Sequence, residues 1–197
     1  LGDEDLGDYA RFGLQPLESS SVDVALRDAL GKLEGRLLVG VVNSVGIRRD
    51  AKAVPALQAL AGDPAKGAAA EALMALGRIA TREANATLLG VLVNETPALR
   101  VAAADAALVA AEHLLAERRR AEAVGLYDAI RNADLPGHLH TAATYGAIVS
   151  RGEAGVPLLL AALKSEDVAT VGVALRAARE LPGPGVSRAL FAELEKS

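Results

Sequence analysis

At 197 residues, with 21 Lys and Arg against 25 Asp and Glu and a formal net charge of −4, the chain has length for one or two domains and enough to bury a core. It carries no Cys and no Trp, three Tyr and two Phe, which excludes a disulfide framework, a thiol nucleophile and any cysteine-bearing metal site. The mildly acidic balance also counts against a protein built to grip nucleic acid, which needs a concentrated basic face and stacking aromatics.

Hydrophobic residues make up 51 % of the chain although aromatics are only 3 %, because roughly a fifth of the residues are Ala and about a sixth are Leu, far above ordinary usage. Both are strong helix formers, so an all-α protein is expected. No membrane span is expected, since the longest strongly apolar stretch, Leu37 to Ile47, contains Asn43, Ser44 and two Gly and is about half the ~20 residues a spanning helix needs. The chain opens on Leu1 and the acidic Asp3, Glu4, Asp5 and Asp8, without the basic-then-apolar pattern of a signal peptide. It is expected to be a piece of a larger protein, with residues 1–18 as an acidic N-terminal segment and 19–197 as one helical repeat domain. The lack of Cys leaves the compartment open.

From Ser21 onward apolar residues recur at three- and four-residue spacings, interrupted every 12 to 20 residues by Gly, Pro, Asp or Asn, the pattern of short amphipathic helices joined by tight turns. The first helix is predicted over Val22 to Leu33, capped by Ser20 or Ser21 and stopped by Gly35. Arg36 to Ile47 follows, and Asp50 is the expected N-cap of a helix over Ala51 to Ala61. Asp63-Pro64 restarts a helix to Ala80, with Pro64 in a first turn where its missing N–H costs nothing. Glu83 to Val93 pairs with Ala98 to Ala116, Arg119 to Ala133 with His138 to Ser150, and Ala154 to Lys164 with Val168 to Leu181. Pro182-Gly183-Pro184-Gly185 punctuates the chain before a last helix, Val186 to Glu195.

The pairs repeat. Val54-Pro55-Ala56-Leu57 and Val156-Pro157-Leu158-Leu159 stand 102 residues apart, three units of 34, and the same offset carries Leu73 onto Leu175 and Ala75 onto Ala177. A two-helix period in the thirties belongs to stacked α-solenoids, in which no unit buries its own apolar face. The expected fold is therefore a right-handed α-solenoid of about five antiparallel helix pairs, with Leu73 and Leu175 both in its core.

The run Gly46-Ile47-Arg48-Arg49-Asp50-Ala51-Lys52-Ala53-Val54-Pro55-Ala56-Leu57, followed by Leu60, Asp63-Pro64 and Ala72-Leu73-Met74-Ala75-Leu76-Gly77-Arg78-Ile79, resembles HEAT repeats, in particular the short Ala-rich kind named after phycobilisome lyases. The resemblance covers most of Val22 to Leu181. It implies a Pro inside the first helix that bends it, matched by Pro55 and Pro157, and an Asp turn between helices, matched by Asp63. The third pair departs from the pattern, with Thr87 where Pro would stand and Glu95-Thr96-Pro97 at the turn. Ala121-Glu122-Ala123-Val124-Gly125-Leu126-Tyr127-Asp128-Ala129-Ile130 is similar to a tetratricopeptide helix instead. Both families are interaction scaffolds, so the resemblance implies a non-catalytic module that binds a protein or peptide, without a cofactor or metal and as a monomer. The whole also resembles bacterial HEAT segments inside larger secreted multidomain proteins, which implies an extracytoplasmic setting. An alternative carried by the same resemblance is an accessory domain of a carbohydrate-active or bilin-lyase-like enzyme.

Constellations that carry chemistry are weak. His138-Leu139-His140 is a poor metal pair, because on a helix residues two apart point roughly 200° apart around the axis. No Gly-x-Ser-x-Gly elbow is present, and Ser19-Ser20-Ser21 reads as a helix start. Pro182-Gly183-Pro184-Gly185 lacks the Lys and preceding strand of a phosphate loop, and Glu166-Asp167 sits where a helix begins. Asn85-Ala86-Thr87 and Asn94-Glu95-Thr96 fit the short glycosylation sequon. Arg48, Arg49 and Lys52, and Arg118, Arg119 and Arg120, form basic clusters at turns, read as solvated charges or as a patch for an acidic partner. What remains is a surface. In stacked pairs the second helices line the concave side, and the residues there outside the apolar stripe are Asn43, Glu71, Met74, Arg78, Arg100, Thr141, Tyr145, Arg176 and Arg179. Adaptable Met and Tyr with hot-spot Arg suit the gripping of a polypeptide.

Overall fold

The protein, analysed as a computed structural model, is described over residues 1–181, 183 and 185–195, so Pro182 and Pro184 of the expected punctuation lie outside the described residues. Among these residues the chain is all-α, with no strand. It divides into two compact units, Leu1–His113 and Leu114–Ser197.

The first unit opens with α1 (Gly7–Leu14), then α2 (Ser20–Leu30) and α3 (Gly35–Ile47). The acidic N-terminal segment thus carries a helix of its own, and it is held down. Arg11 on α1 donates to Ser44 Oγ at 3.1 Å, while Gln15 Oε1 accepts from the same hydroxyl at 2.8 Å. From the C-terminal end of α3, Arg48 binds Asp23 at 2.6 Å and the carbonyls of Gln15 and Leu17 at 2.7 Å each. A planar guanidinium with five donors suits that task, because three acceptors converge on it from two different segments.

Helix α2 starts earlier than expected. Ser19, not Ser20 or Ser21, is the N-cap, and it makes no side-chain cap bond; its hydroxyl lies 2.8 Å from that of Ser21 instead. Gly35 does not stop α2 but opens α3 at φ +52°, a conformation glycine adopts freely.

A 3-10 turn over Ala51–Ala53, capped by the Asp50 carboxylate on the Lys52 N–H at 3.1 Å, leads directly into α4 (Val54–Ala61). Pro55 sits in the first turn of α4, where its missing N–H removes no helical bond. The expected proline bend inside one helix is thus a 3-10-to-α junction. The helix expected from Asp63-Pro64 is likewise split. A 3-10 turn at Pro64–Lys66 ends on Gly67 at φ +63°, and α5 (Ala69–Ile79) starts beyond it.

Helices α6 (Arg82–Asn94) and α7 (Pro97–Ala116) follow, and the division between units falls inside α7. Within the first unit α4 packs on α5 and α3 lies alongside α5, so the second helices of successive pairs are neighbours. Small residues set their spacing. A Cβ on Gly77 of α5 would come within 2.3 Å of the Ala106 carbonyl oxygen, and one on Gly46 of α3 within 2.8 Å of the Ala75 Cα. Ala103, Ala104, Ala106 and Ala107 of α7 are wholly buried, which explains the alanine excess: large side chains would hold the helices apart.

The second unit has α8 (Arg120–Asn132), α9 (Gly137–Arg151), a 3-10 turn over Gly152–Gly155, α10 (Val156–Leu163), α11 (Val168–Glu180) and α12 (Gly185–Leu194). Pairs α8–α9 and α10–α11 pack internally, α9 lies against α11, and α12 rests on α10. Ile148, Leu159, Ala162, Ala174, Ala177, Leu181 and Val186 form one core cluster. Tyr127, 1 % exposed, is buried because α9 offers Gly146, whose Cβ would sit 2.3 Å from the ring. Asp128 on α8 pairs with Arg131 at 3.1 Å and with Arg151 at the end of α9.

The stretch 137–163 has a mean hydropathy of 1.3 and the length of a span. It is not one rod, however, since Gly152 at φ +59° and the 3-10 turn break it into α9 and α10.

One expectation is overturned. Leu73 is fully buried, but Leu175, its counterpart 102 residues on, is 53 % exposed. In the first unit α5 is flanked by α3, α4 and α6 and meets α7 at Ala106; α11 packs on α9 and α10, and the next helix, α12, rests on α10. Ala177, the counterpart of Ala75, stays buried.

The backbone carries a second trace of repetition. The helices α3, α5, α7 and α9 all exit through a residue of positive φ, at Arg49 (+52°), Ala80 (+53°), Arg118 (+62°) and Gly152 (+59°). Such an exit reverses the chain within one or two residues, and glycine is its usual occupant. Three of these four positions hold residues with a Cβ.

Candidate functional site

The expected row divides between the two units. In the first unit Asn43 lies on α3, Glu71, Met74 and Arg78 lie on α5, and Arg100 lies on α7; all five are half-buried. Arg78 donates to Asn43 Oδ1 at 3.3 Å across the α3–α5 contact, and its side chain passes beside Gly46. The 3.6-residue period puts Glu71, Met74 and Arg78 on one strip of α5, facing away from Leu73, Leu76 and Ile79.

In the second unit Thr141 turns inward along its own helix, its hydroxyl donating to the Gly137 carbonyl at 2.8 Å. Tyr145 on α9 and Arg176 on α11 come together, with the guanidinium 4.5 Å from the ring centroid. Glu180, which the sequence reading passed over, completes the group: it accepts from the Tyr145 hydroxyl at 2.5 Å and lies 3.5 Å from Arg176 Nε. Burial, and then the hydrogen bond to Glu180, raises the Tyr145 pKa above its ordinary value, so the phenol remains a donor at neutral pH. The i, i+4 spacing of Arg176 and Glu180 was a legible signal for that pair; the approach of Tyr145, thirty-five residues away, was not. Arg179 is exposed on the same helix.

Among the described residues, clefts are also lined by residues outside the row. One, of about 540 Å³, is lined by Ser20, Asp23, Val24, Arg27, Arg48 and Asp50 among others. Arg27 pairs there with Asp50 and Arg48 with Asp23, and Arg49 and Lys52 line it as well. Another, of about 510 Å³, belongs to the second unit and is lined by Leu115, Arg118, Arg120, Val149 and Ser150. Between its two arginines, Arg119 is held by Glu122 at 2.7 Å and Glu117 at 3.2 Å, and the Glu122 bond raises its pKa further.

Other sequence candidates resolve locally. His138 is exposed in the first turn of α9 while Leu139 is buried. Among the described residues no group of three His, Asp or Glu side chains is placed to hold a metal ion. Asn85, at 7 % exposure, is inside the fold, with its amide donating to the Ala80 carbonyl at 3.4 Å, and Thr87 is bonded to Gln58 and Glu83. Of the two sequon asparagines only Asn94, at the end of α6, is exposed, and its amide donates to the Gly90 carbonyl at 3.1 Å. Asp167 caps α11, accepting from the N–H groups of Ala169 and Thr170 and from the Thr170 hydroxyl, which together hold its carboxyl below the usual range. No family model and no curated protein matches the chain.

Proposed function

We propose that the chain is a non-catalytic interaction module, a HEAT-like right-handed α-solenoid of about five helix pairs that holds a protein or peptide against its second helices and forms part of a larger bacterial protein. The observation that carries this reading is the adjacency of second helices within each unit, α3 beside α5 and α9 beside α11, each contact edged by polar or cationic side chains beside its apolar core. Stacked helices supply long, rigid area without a pocket, and binding there costs little reorganisation. Arg78 with Asn43, and Arg176 with Tyr145 and Glu180, are ordered by their own partners before any ligand arrives.

Selection of peptides from a random display library on the intact chain, followed by affinity measurement against an Arg78→Glu/Arg176→Glu variant, tests it. Peptides that bind the parent and lose at least about tenfold, or 1.4 kcal/mol, on the variant are expected. Enrichment no better than on an unrelated helical protein, or equal binding to both chains, overturns the assignment of these helices as the binding face.

A further inference from the structure

The geometry points to a second site, the Arg118–Arg120 cleft of the second unit, as a receptor for a carboxylate carried on an apolar stretch of polypeptide. The inference rests on the reading of the chain as a polypeptide-binding module and adds a separate locus with a stated ligand chemistry. Three observations converge on it. The cleft, about 510 Å³, joins apolar walls from Leu115 and Val149 to two cationic side chains at Arg118 and Arg120, the composition of a pocket for an amphipathic anion.

Its cations are available. The two nearby carboxylates, Glu117 and Glu122, are both directed to Arg119, and among the described residues neither Arg118 nor Arg120 is in an ion pair. In the other cleft the Asp23 and Asp50 carboxylates line the wall themselves and pair with Arg48 and Arg27, the contrasting arrangement. Ser150 adds a polar group at the wall. It is 3 % exposed and lines the cleft, and its hydroxyl makes only a long hydrogen bond among the described residues, 3.4 Å to the Ala147 carbonyl.

The third observation is the backbone at Arg118. It stands at φ +62°, at the exit of α7, where the Arg118 N–H bonds to Leu115 and the Arg119 N–H to Leu114. Glycine fits that exit with less strain, as Gly152 does after α9. The turn brings the Arg118 and Arg120 side chains to the cleft beside Leu115.

A carboxylate between two guanidiniums gains charge-assisted hydrogen bonds, and the neighbouring apolar side chain gains contact with Leu115 and Val149. The strength depends on ionic strength because the arginines are at the surface.

The probe is a fluorescein-labelled, end-capped decapeptide of alternating Glu and Leu, titrated into the full chain by fluorescence anisotropy beside its Gln/Leu counterpart. The Glu peptide is expected to bind at least tenfold tighter than the Gln peptide and to weaken with added salt. Arg118→Gly and Arg120→Gln together are expected to abolish that difference, with the melting temperature of Arg118→Gly equal to or above that of the parent. Equal affinity of the two peptides, or an Arg118→Gly/Arg120→Gln variant that binds as the parent does, overturns the proposal. If Glu-peptide binding is lost in Arg78→Glu/Arg176→Glu and untouched in the cleft variant, the cleft assignment alone falls and the second-helix reading stands. Absence of binding by both decapeptides, while display-selected peptides still bind, likewise removes the cleft and spares the wider reading.

Discussion

Individual side chains show most clearly how surroundings outweigh identity. Leu73 and Leu175 occupy the same place in two copies of one pattern, yet one is sealed and the other is half open to water. Leu73→Ala is expected to cost about 2 to 5 kcal/mol, the transfer term plus the cavity. Leu175→Ala is expected to cost less than about 1 kcal/mol. Urea unfolding of the two variants checks the pair, and equal losses would contradict the placement of α11. Gly146 presents the converse case. An added methyl meets the Tyr127 ring, and since that ring is locked in the core, Gly146→Ala is expected to destabilise by about 1 to 3 kcal/mol despite its gain in helix propensity. Arg78 is half-buried and bonded to Asn43, so its reversal to Glu carries a stability cost of about 0.5 to 1.5 kcal/mol that a fully solvated arginine would not.

At the scale of the element, helix ends do much of the specifying. Asp50, Asp63, Thr81 and Asp167 all accept a backbone N–H at the start of a helix or 3-10 turn, satisfying donors that otherwise lack partners. Asp167 makes the effect titratable. Its folded pKa is depressed, so its contribution is fully present above the ordinary carboxylate range and is lost as pH falls through the folded value. The melting-temperature advantage of the parent over Asp167→Ala is expected to be constant from pH 7 to about 5 and to shrink on further acidification. An advantage that grows in acid would reverse the sign and refute the cap. Arg48 works at the same scale, tying the stretch around Gln15 and Leu17 to α2 and α3. Arg48→Ala is expected to expose the amides of α1 to hydrogen exchange before those of α5, because it removes the clamp and leaves the α3–α5 packing intact.

For the whole molecule the organising fact is locality. Within each unit the helices pack on elements close to them in sequence, as α4 does on α5 and α8 on α9, and the chain divides into two units inside α7. Each unit has its own buried residues, so destabilising one need not unfold the other at the same denaturant concentration. Leu73→Ala is expected to separate the urea transition into two, with far-UV circular dichroism retaining the helix of residues 114–197 in the intermediate. A single transition of unchanged slope would show instead that the two units unfold together.

The helical class and most of the turn positions were legible in the residues alone. Alanine and leucine favour helix, and Gly, Pro and Asp punctuate it through local backbone chemistry that needs no tertiary context. The sequence located helix ends within a few residues and missed where 3-10 turns replace α-helix, at Asp50 and Asp63, because the Pro and Gly signals there are compatible with either. It named Tyr145 and Arg176 but not their meeting with Glu180, and it read the arginines at 118–120 as one cluster. Tertiary packing settled that the face of α11 bearing Leu175 is exposed, and which arginines are matched by carboxylates. Those outcomes depend on residues thirty or more positions apart, or on side-chain direction within a turn. Periodicity specifies which face of a helix is apolar; what comes to lie against that face is decided by packing.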